Sequence, residues 1–587
     1  MSFEMAKKHF LDGLSLLDSE RYEEAEFHFL ESLSLMPDRI STLINLSATQ
    51  IKIKKFSDAK NYLEQVIELD QNCAEAFLNL GIINREQEKF IPALEIFEVA
   101  IKLKPNYPEA LSNKGIALHE LKRYDEALLS YDKAISFKPD YYEAWSNRGV
   151  TLNELDYYNE ALASYDKAIS LQPSYYEAWA NKGIALHELK RYDEALLSYD
   201  KAISFKPNYY EAWNNKGATF SELKRYEEAL ASYDKAISLK PDYYEAWANK
   251  GIALHELKRY DEALLSYDKA ISFKPDLYDA YWGKALIQLT LGNFKDGLKN
   301  YEYRLERTSA YPKRHQEFPL LTNLNQPLGK RVLVWSEQGH GDTIQFSRLI
   351  KQLSDLNVTI IFEVQAGLKA LLEYSIKHAT VISEGTPFGQ VDFQIPLMSL
   401  PLLLELDIND IPSDPYLEDS KEDSITWKKK LSVANNKLNI GIACSGNEQH
   451  INDKNRSIDL KLFKPIADKV NLFLIQKDLR KSDQDFLRTH PEIKFLGKEI
   501  TSINDSASII QAMDLVITVD TSLAHLSGAL GKPTLILLPW NSEWRWLLGR
   551  QDSPWYPTVK IFRQPHSGNW EAVIEDVALH LNLNHQR

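Results

Sequence analysis

One constant spacing governs the first half of this chain. Pro105, Pro139, Pro173, Pro207, Pro241 and Pro275 keep a step of 34, as do Gly81, Gly115, Gly149, Gly183, Gly217 and Gly251. Alanine keeps the same step through Ala25, Ala59, Ala93, Ala127, Ala161, Ala195, Ala229 and Ala263, and Trp145, Trp179, Trp213 and Trp247 follow it. A fixed step of this length marks a stack of small units. Within EAWANKGIALHELKRYDEALLSYDKAISFKP, apolar residues recur at helical spacing in two blocks, and proline closes the unit because it cannot continue a helix. Each unit is therefore a helix pair that cannot bury its apolar face alone. About nine pairs over residues 1–310 predict an α-solenoid with an extended concave surface. The string NKGIALHELKRYDEALLSYDKAISFKP stands unchanged at 113–139, 181–207 and 249–275, a super-period of two units.

One polar column keeps the period. Asn45, Asn79, Asn113, Asn147, Asn181, Asn215 and Asn249 each lie two residues before the packing glycine or its equivalent. A carboxamide both donates and accepts hydrogen bonds, so a ladder of them is expected to hold an extended polypeptide with little sequence selectivity. His119, His187 and His255 come with the repeated string and read as ordinary helix-surface residues.

Charge is unevenly spread. Residues 1–310 hold 39 Lys+Arg and 50 Asp+Glu, which accounts for −11 of the formal −14. An acidic chain without a basic stripe excludes nucleic acid as the expected partner. Cys73 and Cys444 are too few and too far apart for a disulfide framework, so a reducing compartment is expected. MSFEMAKKHFLDG has no apolar core of a signal peptide, and no 18-residue stretch lacks polar breaks. A cytoplasmic protein with no membrane span is the expectation.

After residue 310 the period stops and short apolar runs alternate with helical stretches: RVLVWSE (331–337), VTIIFEV (358–364), VDFQIPL (391–397), NIGIACSG (439–446), VNLFLIQ (470–476), LVITVD (515–520), TLILLP (534–539) and VKIFRQ (559–564). This alternation predicts α/β layers on parallel sheets. The polar, acidic stretch near 407–436 reads as a linker between two lobes, giving a connector at 311–327, a first lobe at 328–415, a linker at 416–436 and a second lobe at 437–587.

Ligands bind beyond the carboxyl ends of such strands. Gly339 and Gly341 allow a tight turn after RVLVWSE, and Asp342 opens the next helix, placed to cap it or to take a proton from an attacking hydroxyl. Thr521 and Ser522 open a helix after LVITVD and can cradle a diphosphate at its N-terminus, with His525 one turn on. GIACSGNEQHINDKNRS is a long polar loop after a strand, carrying Ser445, Asn447, His450, Asn452, Asn455 and Arg456, and Lys477 follows VNLFLIQ. Arg456 can pair bidentately with a phosphate. Asp483 and Asp485 lie in a charged stretch that reads as a solvated helix, while Trp540, Trp544 and Trp546 read as packing residues or as a stacking surface for a sugar or base. CxxC, HExxH and GxxxxGK[ST] patterns are absent.

The W…G…Y…A…P layout resembles the tetratricopeptide repeat, and the asparagine column looks like that of the O-linked N-acetylglucosamine transferases, where it holds protein substrates. The segments WSEQGHGDTIQF, QIPLMSLP and VDTSLAHLSGALGKPTLILLPWNSEWRWLLGRQDSPWYPTVKIFRQ resemble the family 9 glycosyltransferases, the heptosyltransferase group, over roughly 328–570. That resemblance implies two facing Rossmann-like lobes of GT-B type, a nucleotide-sugar donor, and inversion at the anomeric carbon without a metal or other cofactor. It also implies Asp342 as base, with Asp520, Thr521, Ser522 and His525 gripping the donor diphosphate. His340 stands where the family commonly has leucine or isoleucine, and Ser522 replaces the more frequent glycine. The expected function is transfer of a sugar to a protein or saccharide acceptor, with the repeat arm recognising a polypeptide. The alternative is a non-catalytic repeat scaffold for protein–protein interaction, carrying a degenerate transferase fold.

Overall fold

A computed structural model describes residues 2–307, 314–326, 328–432, 437–449 and 452–581. It divides into two compact units, Met1–Lys250 and Gly251–Arg587.

Among the described residues, eighteen helices between Ser2 and Tyr301 follow one another as nine pairs. Those from Tyr22 to Thr290 alternate between 14 and 13 residues in length. The periodic residues have structural duties. A Cβ on Gly183 would lie 2.5 Å from Tyr199 Cε1, and Gly115, Gly149 and Gly217 meet Tyr131, Tyr165 and Tyr233 in the same way. The glycine lets the first helix of a pair approach the aromatic ring of the second. The turn within each of the first eight pairs hinges on one residue in the left-handed region, from Glu20, Lys54 and Glu88 to Lys224 and Lys258, with φ between 58° and 61°, and the ninth uses Gly292 at 82°. The period-keeping prolines use their carbonyls: the indole N–H of Trp145, Trp179 and Trp213 donates to the oxygen of Pro139, Pro173 and Pro207 at 3.1, 2.9 and 3.2 Å. Gly183→Ala forces its methyl against the buried Tyr199 ring. It is expected to destabilise the first unit by about 1–3 kcal/mol, read as a lower urea midpoint.

The second unit contains two parallel sheets. The first has the order β3-β2-β1-β4, with β1 Arg331–Trp335, β2 Thr359–Val364, β3 Thr380–Ser383 and β4 Phe393–Pro396. The second has the order β10-β9-β8-β5-β6-β7, with β5 Asn439–Ala443, β6 Asn471–Leu474, β7 Lys494–Phe495, β8 Leu515–Val519, β9 Thr534–Leu538 and β10 Val559–Arg563. Helices cover these strands, which is why they read as apolar runs rather than alternating ones; β9 is buried throughout. Strand order reverses beside β1 in the first sheet and between β5 and β8 in the second. Those switch points open crevices at the strand ends. Here an α-solenoid is followed by an α/β region, as the sequence predicts. Among the described residues no helix is long and apolar enough to cross a membrane.

The helix pairs continue to Tyr301, inside the expected array of 1–310, and the last pair shares a core with the sheets: Ala285, Leu289, Phe294, Leu298 and Tyr301 pack in one cluster with Val332, Val334, Ile344, Trp544 and Trp555. The expected linker at 416–436 contains a helix, Lys421–Lys430, and Trp427 from it packs against the same core. Tyr416 holds both lobes: its N–H donates to Ala529 O at 3.0 Å and its hydroxyl to Ile344 O at 2.6 Å. Residues 308–310 of the expected array, 311–313 and 327 of the expected connector and 433–436 of the expected linker lie outside the described residues.

Candidate functional site

The first switch point builds a turn from buried ionic groups outward. β1 runs into Ser336 and Glu337, and Gly339 precedes the helix His340–Phe346. The Glu337 carboxylate is fully buried. It accepts from Arg304 Nη2 at 2.7 Å and Nε at 3.1 Å, and from the Met398 N–H at 3.1 Å. Burial opposes the Arg304 charge, but Glu337 and Glu302 outweigh it and hold the guanidinium protonated. The next residue, Gln338, donates from Nε2 to the hydroxyl of Tyr301 at 2.9 Å, and its carbonyl accepts from Gln365 Nε2 at 2.7 Å. The turn is thus pinned from both sides. It presents Asp342, half-buried, with one carboxylate oxygen accepting from the Gly339 N–H at 3.1 Å and the other from the Arg545 guanidinium. Arg545 is itself buried. Asp342, Tyr301 and Glu543 outweigh the burial cost and raise its pKa.

The second switch point is organised by Gln476 at the end of β6. Its amide oxygen accepts from the Cys444 and Ser445 N–H groups at 2.8 and 3.2 Å, and its nitrogen donates to Ser445 Oγ at 2.7 Å. Ser445 is therefore fixed rather than free, whereas Asn447 is exposed. Arg456 folds its guanidinium over Gly446, where a Cβ would come within 2.6 Å of Nη2, and donates from Nη1 to Asp520 O at 2.9 Å. One switch-point strand is in this way tied to the other. Lys477 is exposed and has no partner among the described residues. Asn455 donates to the Asn452 side chain at 2.8 Å, and His450 lies outside the described residues.

After β8, Asp520 is buried, while Thr521 and Ser522 stand half-buried at the start of the helix Ser522–Ala529. His525 is buried on that helix, with Nδ1 at 3.0 Å from the Tyr556 hydroxyl and its ring stacked on Trp546 at 5.2 Å. Burial, reinforced by Arg545 and Arg348, pushes its pKa far down, so it stays neutral. A Cβ on Gly341 would sit 2.9 Å from His525 Cδ2, so the two lobes meet here across a glycine.

One cleft of about 1290 Å³ brings Asp342 and Arg545 together with Ser445, Asn447, Arg456, Lys477, Asp520, Thr521, Ser522 and His525. The asparagine column belongs to the first unit, half-buried along the repeats. Asn45 and Asn113 donate to the carbonyls of Ser41 and Glu109 at 2.8 Å each. Asn249 donates to Asn214 Oδ1 at 3.0 Å, and Asn215 accepts from Asn214 at 3.3 Å. The Asp483–Asp485 stretch is not a solvated pair. Asp483 is buried and accepts from the Leu460 N–H at 3.2 Å, whereas Asp485 is exposed beside Arg488. Trp544 and Trp546 are core residues. Sequence reasoning missed Arg545, Gln476 and Glu337. For Gln476 and Glu337 a signal was present, polar residues ending apolar strands.

Burial and the neighbouring Glu543 push the Asp520 carboxyl from its ordinary 3.8 up to about 6. Between those values the folded chain holds this proton and the unfolded chain does not. The group's contribution to stability is therefore present below about pH 3.8 and lost as pH rises through 6, a difference of about 3 kcal/mol. Asp520→Asn is expected to remove this pH dependence. The mutant's stability relative to the parent should rise from pH 4 to pH 7, measured by denaturation across that range.

Residues 472–575 match the model of glycosyltransferase family 9 (heptosyltransferase). Tetratricopeptide repeat models match 51–108, 108–141, 142–175, 176–209, 210–243 and 244–277. Protein FlbA of Caulobacter vibrioides is 23% identical over 278 residues, covering 43% of this chain and 46% of that protein. The chain thus spans about half the length of this curated relative. Among solved structures, the APC/C hetero-tetramer Cut9-Hcn1 superposes with a TM-score of 0.40 at 13% identity, over 45% of this chain and 52% of that one. A tetratricopeptide repeat protein from Parabacteroides merdae gives 0.36 at 20% identity, over 42% and 98%. The chain carries tetratricopeptide repeats within residues 51–277 joined to a glycosyltransferase family 9 domain at residues 472–575.

Proposed function

We propose that the chain is an inverting, metal-independent glycosyltransferase that moves a sugar from a nucleotide-sugar to a polypeptide held by the repeats. The observation that carries this reading is the convergence of a carboxylate and a set of anion-binding groups in one cleft at both switch points. The donor diphosphate lies against Arg456, Lys477 and the first N–H groups of the helix Ser522–Ala529, where the helix dipole favours negative charge. Asp520, Ser445 and Asn447 shape the nucleotide side. Neutral His525 acts as a positioning residue beneath Gly341. The acceptor hydroxyl gives its proton to Asp342 while its oxygen attacks the anomeric carbon. The bond from that carbon to the diphosphate breaks on the opposite face, and the leaving electron pair is stabilised by the cations and the helix N-terminus. These groups supply the positive charge that a metal ion supplies elsewhere. Asn45, Asn79, Asn113, Asn147, Asn181, Asn215 and Asn249 hold the polypeptide, since carboxamides suit a peptide backbone in both senses.

The competing reading is a non-catalytic scaffold, and the Arg545–Asp342 pair favours it: a carboxylate engaged by a guanidinium accepts no proton until the pair opens. Thermal-shift screening with UDP-, ADP- and GDP-sugars separates the two. A donor at 100 times its Kd is expected to stabilise the fold by about 2.7 kcal/mol. If none raises the melting temperature and none is hydrolysed, the scaffold reading stands. Asn147, Asn181 and Asn215→Ala together should slow transfer to a polypeptide; unchanged transfer would remove the ladder from acceptor delivery.

A further inference from the structure

The cleft has a third wall. Trp282 and Leu286, from the first helix of the last repeat, Tyr278–Thr290, line it alongside Asp342. The repeat register places Ser112, Ser146, Ala180, Asn214 and Ala248 at the position of Trp282. The first four of these are small or medium side chains buried between helices. Trp282 alone among these six is aromatic, and it is only half-buried. Its ring rests on Tyr301 at 4.8 Å between centroids, backed by the Arg307 guanidinium at 5.1 Å. Tyr301 holds Gln338, four residues before Asp342, so the indole stands one ring away from the turn that presents the carboxylate.

The groups suited to a diphosphate belong to the second lobe, and this wall is apolar. Its aliphatic half, Leu286, offers a sugar ring no stacking surface. A hydrocarbon or aromatic side chain can be covered by both residues. We infer that Trp282 and Leu286 form the acceptor subsite, and that it takes an apolar side chain adjacent to the hydroxyl-bearing residue of a polypeptide. This inference rests on the transferase reading for its location beside the reacting hydroxyl, but the binding it describes is measurable without transfer. Covering one leucine side chain corresponds to roughly tenfold or more in affinity.

The test uses the full chain and two blocked peptides, one with serine beside leucine and one with serine beside glycine, followed by saturation-transfer NMR titration. The leucine peptide is expected to bind at least about tenfold more tightly. Trp282→Ala should abolish that preference, Trp282→Phe should keep part of it, and nucleotide-induced thermal stabilisation should persist because no donor-binding group touches this ring. Leu286→Ser provides a second reading should Trp282→Ala fail to fold. Equal binding of the two peptides, a preference that survives in both Trp282→Ala and Leu286→Ser, or displacement of the leucine peptide by methyl glucoside would each overturn the inference. If the peptide preference is present but no nucleotide-sugar binds or turns over, the transferase reading falls and the wall remains as a peptide site.

Discussion

If the proposed transfer uses Asp342 as its base, Asp342→Asn is expected to lower it by roughly 100- to 10,000-fold, the contribution of a positioned general base. The amide has one acceptor oxygen where the carboxylate has two, so it keeps one of the contacts that hold Asp342 in place, to Arg545 or to the Gly339 N–H, and no core side chain changes. The fold and nucleotide-induced stabilisation should therefore survive, and the loss should appear in single-turnover transfer rather than in donor binding. A loss of less than about tenfold with nucleotide binding intact would remove Asp342 from the role of base. The Arg545 contact adds a second readout. Because the carboxylate must leave the guanidinium before it can take a proton, the bound nucleotide-sugar should shift the environment of Trp544, whose ring lies 5.0 Å from that guanidinium, and the shift should be measurable by fluorescence.

The largest stability effect is expected at Glu337. Arg304 and Glu337 are both fully buried, and Arg304 retains only Glu302 as a charged partner once Glu337 is neutral. Glu337→Gln is expected to cost about 3–5 kcal/mol, the penalty for leaving a buried charge without its partner. Replacing the pair together, Arg304→Met with Glu337→Gln, should recover much of that loss, because no fully buried charge remains and Glu302, which loses its guanidinium, is partly exposed to solvent. Denaturant titration of the two single variants and the double variant gives the coupling directly. Additive losses would show that the two residues act separately. A weaker pair should also loosen Gln338 and the Asp342 turn, measurable as faster amide hydrogen exchange over 336–342.

The repeats were legible because their physics is local. Gly183 reports the nearby Tyr199 ring and Pro173 reports the end of a helix, so each signal recurs once in every unit. The longer strands were legible because both faces are buried, but β3 and β7 were not: TVIS and KF are too short and too exposed to stand out from loops. The loops carrying Asp342, Arg456 and Thr521 could be read from their position after apolar strands. Arg545 could not, because its meaning depends on packing between residues 203 positions apart. The packing of the last repeat was hidden for a related reason. The helix pairs run on to Tyr301, yet Leu289, Phe294 and Tyr301 belong to the core of the sheets. Periodicity describes how a segment is built and carries no information about what its outward face covers.

The fusion of the last repeat with the sheet core divides the array into a part that can change length and a part that cannot. The unchanged strings at 113–139, 181–207 and 249–275 are in the same register, so unequal exchange between the sequences encoding two neighbouring copies removes or adds one whole super-period without shifting any helix out of phase. All such exchanges fall before Tyr278, upstream of Trp282, Tyr301 and Arg304. Related chains can therefore differ in reach by whole pairs of repeats while the residues that support the cleft stay where they are. The number of repeats is then set by recombination, independently of the residues that build the cleft.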